Sequence, residues 1–512
     1  MHIPSRRQSL LILGGLGTAA VAGGAYLLEN HGSSNQPYDP HEGAPPERPI
    51  APPTPLPSGD DVNWRPNAFG FRAANDHVQQ IKGYASATSV GLGESIDFHV
   101  TVNPAQKFTV QIFRLGPTSD GRASDLHATS PELAGVTQNR PEVVAPTRTV
   151  LAPWQASWRL DVPADWTSGL YVATFENEAK FRSLTPFVVR DDHKSADLLV
   201  VLPFTTYQAY NMYPWDEKVG SSLYHAWTPA GQYGSTDICS TRVSFDRPYV
   251  GDGIPTYFDL DYAFVSWVEA QRYSVSYASG IDLHAGRVDP TKYKALVFSG
   301  HDEYWSSDMR ATLEHALDKG VSAAFMAANN LYWHVRMDAS DEGVQHRQVT
   351  CYKERVDPWA RSADVRTNLW RMIGQPEQTV LGAMYKSVVT DAKPQPLVVD
   401  SPSHWFWRGT GVRAGERIPN MVGGEADQVW PGKDGPDVTY LAVSPFTGNG
   451  HGDKPAKMPA HTVLHQKDSG AWVFNAGTFY WNHGLSTPGF VDSRIQGATR
   501  NLLDRMTGKT AG

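Results

Sequence analysis

The stretch Ala295-Leu-Val-Phe-Ser-Gly-His-Asp-Glu-Tyr-Trp305 decides how the fold of this chain of 512 residues is interpreted. Its apolar start is typical of a buried strand, and the strand ends before Gly300. A helical pattern then begins near Ser306 or Ser307 and ends at Gly320, with serine and glycine in their preferred capping positions. Acid–base and metal-capable side chains therefore follow a strand directly, at the edge where open α/β sheets bind ligands.

The C-terminal part of the chain, residues 195–510, alternates apolar runs with helical patterns. Strands are predicted at 198–202, 274–278, 295–298, 321–327, 439–443 and 471–474, and helices at 257–273, 306–320 and 493–506. Such alternation predicts a doubly wound, mostly parallel sheet. Residues 340–470 are predicted to be long irregular insertions.

A different pattern occupies residues 81–191, where polar and apolar residues alternate in short runs. These runs are 95–102, 108–115, 158–162, 169–175 and 185–190. Short alternating strands separated by turn residues predict a β-sandwich domain. No catalytic constellation is visible there, so we expect a packing or recognition module.

The N-terminus indicates export. Ser5-Arg6-Arg7-Gln8-Ser9-Leu10 resembles a twin-arginine signal, and an uncharged segment from Leu10 to Leu28 follows. Residues 1–30 are therefore predicted to be a signal, with an uncleaved membrane anchor as the alternative. A Pro-rich linker is predicted at 31–80. The expected location is extracellular, or the periplasm or cell envelope.

Charge and cysteine content exclude several classes of function. The formal net charge is −8 and no long basic run occurs, which argues against a nucleic-acid partner. Only Cys239 and Cys351 are present, too few for a disulfide framework or a Cys-rich metal site. One disulfide between them and two separate buried thiols are both compatible with the sequence.

Three polar loops follow three of the predicted strands. If the strands are parallel neighbours, their carboxyl ends bring together Tyr207, Tyr210, Tyr224, His301, Glu303, Asn329 and Tyr332. The Gly-x-Ser-x-Gly nucleophile elbow is absent, and neither cysteine follows a sharp strand–helix turn, so covalent hydrolysis is not indicated.

Metal chemistry suits these side chains better. Glu303 offers a hard oxygen, and a trivalent ion would stabilise a tyrosine as phenolate. Such an ion would polarise a carbonyl and acidify water. His301 lies two residues before Glu303 and faces the same side of an extended segment, so it is a candidate ligand or a nearby base.

Several motifs resemble the large-subunit (beta-subunit) family of N,N-dimethylformamidase over about residues 195–507. They are His301-Asp-Glu-Tyr-Trp305, Tyr207-Gln-Ala-Tyr-Asn211, Ser222-Leu-Tyr224, Ser244-Phe-Asp-Arg-Pro-Tyr249 and Asn329–Trp333. The resemblance implies an α/β domain similar to class I glutamine amidotransferases, without their catalytic cysteine.

The same resemblance implies one iron, as Fe³⁺, held by two tyrosines and a glutamate. Carried over, the glutamate is Glu303, and the tyrosines are Tyr224 with Tyr207, or with Tyr210 in place of Tyr207. His301 and Asn329 would orient the ligands or the substrate, and Glu425 in Val422-Gly-Gly-Glu-Ala-Asp427 would be a general base. The family's amidase is a cytoplasmic enzyme of two subunits, whereas this chain carries an export pattern.

Three functions remain open at this point. The first is an iron-dependent hydrolase of amide C–N bonds acting on a small-molecule amide. The second is an envelope protein that binds carbohydrate or peptidoglycan, a glycan or peptide partner, without catalysis. The third is a metal-independent glycan hydrolase that uses His301, Glu303 and Glu425 as acid and base.

Overall fold

The architecture is that of a computed structural model, which describes residues 63–118, 123–193, 196–228, 230–235, 238–271, 273–362, 365–450 and 454–509. The predicted signal at 1–30 and the linker up to residue 62 lie outside the described residues. Among the helices in these ranges, none is both long and apolar enough to cross a membrane.

The described chain forms a mixed, β-rich fold with several sheets. The strands of its first part are β1 (Arg72–Ala73), β2 (Ile81–Ala85), β3 (Ser89–Gly91), β4 (Ser95–Val102), β5 (Lys107–Leu115), β6 (Ser124–Thr129), β7 (Leu133–Ala134), β8 (Glu142–Val144), β9 (Thr149–Leu151), β10 (Ala156–Asp161), β11 (Gly169–Asn177) and β12 (Phe181–Arg190).

The second part of the chain adds the remaining strands. They are β13 (Leu198–Leu202), β14 (His225–Trp227), β15 (Tyr233–Ser235), β16 (Arg242–Ser244), β17 (Val275–Ser279), β18 (Ala295–Phe298), β19 (Tyr304–Ser306), β20 (Ser322–Phe325), β21 (Trp333–Asp338), β22 (Gln348–Thr350), β23 (Met384–Val388), β24 (Gln395–Val398), β25 (Arg417–Val422), β26 (Glu425–Gln428), β27 (Thr439–Asn449), β28 (Pro455–Gln466) and β29 (Trp472–Asn475).

The α-helices of the described chain all belong to this second part. They are α1 (Phe204–Ala209), α2 (Phe258–Glu269), α3 (Gly280–His284), α4 (Ser307–Asp318), α5 (Gln378–Leu381), α6 (His483–Ser486) and α7 (Ser493–Thr507). The predicted helices at 257–273, 306–320 and 493–506 are confirmed within a few residues as α2, α4 and α7.

Two sheets share the strands of the first part. The larger has the order β1-β12-β11-β5-β6, with β3 also on β12 and β7 also on β5, and the smaller has the order β10-β4-β2. Phe98 of the smaller sheet and Ile112 of the larger belong to one buried hydrophobic cluster. The five strands predicted from the alternating runs are confirmed as β4, β5, β10, β11 and β12.

The end of the predicted linker is packed onto this part of the fold. Trp64 is 0% exposed and its ring lies 5.6 Å from that of Tyr262 in α2. Strand β1 pairs in parallel with β12. A core-free linker therefore does not describe residues 63–80, because one tryptophan there buries its whole indole.

A central sheet with the order β17-β13-β18-β20-β29-β28-β27 organises the second part. The strands from β17 to β29 in this order are parallel, and β28 and β27 are antiparallel additions. Numbered along the chain, the parallel strands run 2-1-3-4-5, so the order reverses between β13 and β18. In sheets of this order, ligands bind beyond the carboxyl ends of the strands at the reversal.

Both faces of the central sheet are buried. Leu198 and Val200 of β13 belong to a cluster with residues of α2 and α7, whereas Leu199 and Val201 belong to one with residues of α3 and α4. A strand covered on both faces needs apolar residues at every position, which explains the continuous run at Leu198–Leu202.

The strand predicted at 439–443 is confirmed as the start of β27, but the prediction of irregular structure over the rest of 340–470 is wrong, since β22 to β28 lie there. The longest of them, β28, pairs with β27 over most of its length, and Pro459 faces Pro445 across the pair. Proline has no backbone N–H to donate to a neighbouring strand, so its presence in a sequence counts against a strand. The β27–β28 pairing could therefore not be predicted from the sequence.

Gly300, directly after β18, allows helix α2 to approach the sheet closely. A Cβ atom at this position would lie 2.2 Å from Oδ2 of Asp261. Asp261 belongs to α2, is 0% exposed and accepts hydrogen bonds from the hydroxyls of Ser299 and Tyr207. The glycine therefore makes room for a buried carboxyl group at the start of the His301 loop.

Gly300→Ala is expected to lower the free energy of unfolding by about 1–3 kcal/mol, because the added methyl group overlaps a buried carboxyl that has no room to move. Chemical denaturation measures the change. Gly497→Ala in α7 is the matched control, because its Cβ meets only Thr410 at 3.0 Å and alanine favours a helix. Equal stability of Gly300→Ala and wild type would show that α2 and β18 are not packed so tightly.

Asp261→Asn is expected to flatten the dependence of stability on pH. Burial raises the pKa of Asp261 from its usual 3.8 to about 7, against the lowering effect of Ser299 and Tyr207. The folded state therefore keeps a proton that the unfolded state loses, and stability falls as pH rises from about 4 to 7, by at most about 1.4 kcal/mol per pH unit.

Asparagine is uncharged, like the protonated acid, at every pH. The unfolding free energy of the variant should therefore lack the fall between pH 4 and 7 that Asp261 causes. Denaturation at pH 4, 5, 6 and 7 measures it, with Asp468→Asn in an exposed turn as the control. Parallel curves for Asp261→Asn and wild type would mean that Asp261 is ionised in the folded protein throughout.

Candidate active site

The loops that follow β13, β18 and β20 meet at the reversal of the central sheet. The backbone N–H of Glu303 donates to the Thr206 hydroxyl at 2.9 Å, which ties the second loop to helix α1 of the first. The N–H groups of Leu331 and Tyr332 donate to the carbonyls of Asp302 at 2.8 Å and Glu303 at 2.9 Å. Hydrogen bonds donated by backbone N–H groups, to one hydroxyl and two carbonyls, thus fix the three loops relative to one another.

Glu303 lies at the centre of the site and is 1% exposed. Its Oε2 accepts a hydrogen bond from the Tyr210 hydroxyl at 2.7 Å, and its Oε1 accepts one from the Tyr224 hydroxyl at 2.7 Å. The two hydroxyls are 3.1 Å apart, and the rings stack with centroids separated by 4.5 Å. Two side chains from the stretch after β13 and one from the loop after β18 therefore converge through their oxygen atoms.

Tyr207 does not join this group. Its hydroxyl donates to Oδ2 of Asp261 at 2.6 Å, on the side of helix α2. Our expectation named Tyr207 first as a metal ligand, with Tyr210 as its alternative, and the structure places Tyr210, not Tyr207, against Glu303. Tyr207 lies inside helix α1 and Tyr210 is its C-terminal cap, and the two hydroxyls bond to different carboxylates, Asp261 and Glu303.

Glu303 is not a helix cap, the other use that its position allows. Helix α4 is capped by the Ser306 side chain, which accepts a hydrogen bond from the N–H of Met309. The Glu303 oxygens are occupied instead by Tyr210 and Tyr224, so this carboxylate contributes to the site and not to the helix.

The charges of the site favour an ionised Glu303. Burial alone would raise its pKa, but the hydrogen bond and charge of His301, then Lys353 and Tyr224, outweigh burial and lower it. Burial and the Glu303 charge both raise the pKa values of Tyr210 and Tyr224 far above normal. The two phenols are therefore protonated donors to a carboxylate.

Lys353 is the cation of the site. Its Nζ lies 3.3 Å from the ring centroid of Tyr224 and 4.9 Å from that of Trp333. Burial lowers the pKa of Lys353, whereas the thiol of Cys351 and the carboxylate of Glu303 raise it. Nothing in the sequence points to this lysine, which lies in a loop after β22 at a φ of 56°.

Cys351, two residues before Lys353, and Cys239 are both buried as thiols. Burial raises the pKa of the Cys351 thiol to about 12, so this sulfur is protonated and a poor nucleophile at neutral pH. Of the two possibilities left open by the sequence, the structure has the separate thiols.

His301 connects Glu303 with a second buried carboxyl, Glu425. Its Nε2 is 3.2 Å from Oε2 of Glu303 and 3.9 Å from Oε2 of Glu425, and its Nδ1 is 3.2 Å from the carbonyl of Ala328. Burial and the negative charge of Glu303 raise the pKa of Glu425 well above the usual range. Oε2 of Glu425 has no hydrogen-bond partner among the described residues.

Asn329 lies beside Glu425, in the loop after β20. Its φ is 55°, and its backbone N–H donates to Oδ1 of Asp427 at 2.8 Å. The residue is 2% exposed, and within the described chain no donor reaches its Oδ1. Asn329 thus combines the turn conformation that its residue type favours with an acceptor left over for another molecule.

Aromatic rings enclose His301. Its ring centroid lies 4.4 Å from that of Phe479 and 5.2 Å from that of Tyr257. Phe479 can come this close because Gly424 has no side chain, since a Cβ there would lie 2.5 Å from the Phe479 ring. The pair of glycines before Glu425 was visible in the sequence, but the aromatic partners that require them were not.

The donor set is suitable for a hard, trivalent metal ion. No group of three or more His, Cys, Asp or Glu side chains in the described ranges is arranged to hold a metal. Tyr210, Tyr224 and Glu303, however, bring two hydroxyls 3.1 Å apart against the two oxygens of one buried carboxylate. Loss of the two phenolic protons would leave three negative oxygens, whose charge one trivalent cation balances.

Comparison with solved structures yields only distant likenesses. A beta-glucosidase from Listeria innocua is 14% identical over 21% of this chain and 16% of its own, with a TM-score of 0.14. The DNA glycosylase AlkC from Pseudomonas fluorescens is 17% identical over 22% of this chain and 30% of its own, with a TM-score of 0.14. The chain spans less than a third of either protein, and likenesses this weak carry no argument.

No curated protein matches the chain. A family model, described as N,N-dimethylformamidase beta subunit-like, C-terminal, matches residues 109–496. The match begins within β5 and includes every residue of the Tyr210, Tyr224 and Glu303 group. Because it covers more than half of the sequence, the chain belongs to the N,N-dimethylformamidase beta subunit-like family.

Proposed function

We propose that this protein hydrolyses amide C–N bonds with the help of one iron ion held by Tyr210, Tyr224 and Glu303. The observation that carries the proposal is the convergence of two tyrosine hydroxyls on one buried carboxylate, at 2.7 Å each. Membership of a family named after an amidase supports the same reaction class. Iron bound there would supply Lewis acidity, which polarises a carbonyl and makes water more acidic.

The chain's own residues supply the proton transfers. Glu425 has a carboxyl oxygen without a hydrogen-bond partner, which can accept a proton from attacking water and return it to the leaving amine. Burial and the charge of Glu303 raise the pKa of Glu425, so its role as a base requires that the Glu303 charge be balanced. His301 lies between Glu425 and Glu303 and holds the two carboxyls apart. Glu425 would therefore carry the proton from the attacking water to the leaving amine.

Other residues would orient the amide and exclude water. The unused Oδ1 of Asn329 can accept a hydrogen bond from a substrate N–H or from water. Tyr257 and Phe479 form an apolar wall beside His301 that suits alkyl groups on the amide nitrogen. The low polarity of this wall also strengthens the interaction of the Glu425 carboxylate with positive charge that develops on the attacking water.

We also infer the architecture that surrounds this site. The hydrophobic cluster shared by the two N-terminal sheets supports a β-sandwich, and the 2-1-3-4-5 order with both faces covered supports a doubly wound domain like that of the glutamine amidotransferases. Domain bounds of 81–191 and 195–510 fit both inferences. Export by a twin-arginine signal rests on the sequence alone.

Tyr210→Phe, Tyr224→Phe and Glu303→Gln are each expected to lower iron affinity by more than roughly tenfold, because each removes an oxygen donor. Elemental analysis of the purified protein measures bound iron, and a phenolate-to-iron absorption band reports the tyrosines independently. Tyr207→Phe is the matched control and should retain the iron. Iron lost in Tyr207→Phe and kept in Tyr210→Phe would refute the proposed ligand set.

Glu425→Gln is expected to keep its iron and lose turnover by about 10²–10⁴-fold, because the amide cannot accept a proton from water. Amine release from N,N-dimethylformamide and from a panel of small formamides and acetamides measures activity. Gln428→Glu, a change at the other end of β26, controls for disturbance of that strand. Undiminished turnover in Glu425→Gln would exclude this residue as the base.

A further inference from the structure

A cavity lies away from the Glu303 group, where the hairpin of β8 and β9 meets the sheet that contains β16 and β22. Its volume is ≈ 270 Å³. The hairpin contributes Pro146, Thr147 and Thr149, and the other wall includes Gln348 and Trp359. We propose that this cavity binds a neutral saccharide, a function that does not depend on amide hydrolysis.

Gln348 provides the first sign of a missing ligand. Its side chain is 2% exposed and lines the cavity, yet no donor reaches its Oε1 within the described chain. A buried acceptor without a hydrogen bond destabilises the folded protein, so such groups are rare unless a ligand or water completes them. A ligand hydroxyl placed in the cavity would donate the bond that this oxygen lacks.

Two threonines supply the complementary donor. The hydroxyls of Thr147 and Thr149 are 2.7 Å apart, so one donates to the other. The hydroxyl that accepts this bond keeps its own proton for a further partner. The cavity thus offers both an acceptor and a donor, and a sugar hydroxyl can act in both roles.

The charges around the cavity favour a neutral ligand. Arg242 donates to the Thr350 hydroxyl at 2.9 Å and lies 3.3 Å from Asp338, so its charge is compensated. Asp341 is exposed at the rim, where its carboxylate can accept bonds from hydroxyl groups. An anionic ligand would meet this carboxylate without a free cation beside it.

Trp359 gives the cavity a flat apolar side. It is 62% exposed, which is unusual for so large an aromatic side chain, and its backbone N–H is fixed by the Asp357 carboxylate at 3.0 Å. An exposed indole presents a flat face to the C–H side of a sugar ring, while polar groups opposite bond the hydroxyls. Together these walls match a ligand with one apolar face and many hydroxyls.

The cavity is separate from the amide-hydrolysing site. In the sheet of order β16-β22-β21-β19, strand β22 carries Gln348 and strand β19 follows Glu303. The two strands are two positions apart, or roughly 10 Å at the usual spacing. None of Tyr210, Tyr224, Glu303 or Glu425 lines the cavity.

Calorimetry with chitotriose, cellotriose and maltotriose, each up to 10 mM, tests the proposal on the purified protein. At least one trisaccharide is expected to bind, and Trp359→Ala should weaken that binding by about tenfold or more. Phe69→Ala is the matched control, since Phe69 is an exposed aromatic residue, 66% exposed, that does not line the cavity. Glu303→Gln should bind the sugar like wild type.

Gln348→Met adds a signature that a purely structural glutamine would not give. The variant should bind the sugar more weakly and yet have an unchanged or higher melting temperature, because it removes an unsatisfied buried acceptor. Absence of binding by all three sugars to wild type would overturn the proposal. Binding that survives in Trp359→Ala, or that is lost in Glu303→Gln, would also overturn it.

Discussion

A single buried carboxylate, Glu303, imposes the conditions that the rest of the site satisfies. A carboxylate withdrawn from water is costly unless several donors compensate it. Here Tyr210 and Tyr224 each give it a hydroxyl, His301 lies 3.2 Å away, and the positive charge of Lys353 acts on it from beyond the Tyr224 ring. Three segments that are distant in sequence, around residues 210–224, 301–303 and 353, must therefore meet, and the fold brings them to one point.

The central sheet makes this meeting possible. The order of its strands reverses between β13 and β18, and in sheets of this kind the loops after two such neighbouring strands diverge. Glu303 follows β18 and Tyr210 follows β13 through helix α1. Close packing of α2 against Gly300 then fixes where the second loop starts. The position of the Glu303 carboxylate is thus set by packing contacts in the core.

Parts of this arrangement were accessible from sequence because they depend on local patterns. The strand Ala295–Phe298 and the helix after it follow from hydrophobic runs and capping residues. The choice between Tyr207 and Tyr210 was not accessible, because it depends on which of the two hydroxyls meets Asp261 and which meets Glu303 in the folded chain. Lys353 and Phe479 have no local signal at all, since long-range folding alone brings them to the site.

The two glutamates of the site differ although they share His301 as a neighbour. Glu303 receives two hydroxyl donors and has a lowered pKa, whereas Glu425 has an unpartnered oxygen and a raised pKa, partly because Glu303 is already negative. When the surroundings of two neighbouring acids shift their pKa values in opposite directions, the two acids commonly have different roles in catalysis. The compensated acid suits a permanent charge that holds a cation, and the uncompensated acid suits a proton carrier. Exchanging the two roles would require moving the groups that lower the pKa of Glu303, so His301 and Lys353, with Tyr224 beside them, determine which acid does which work.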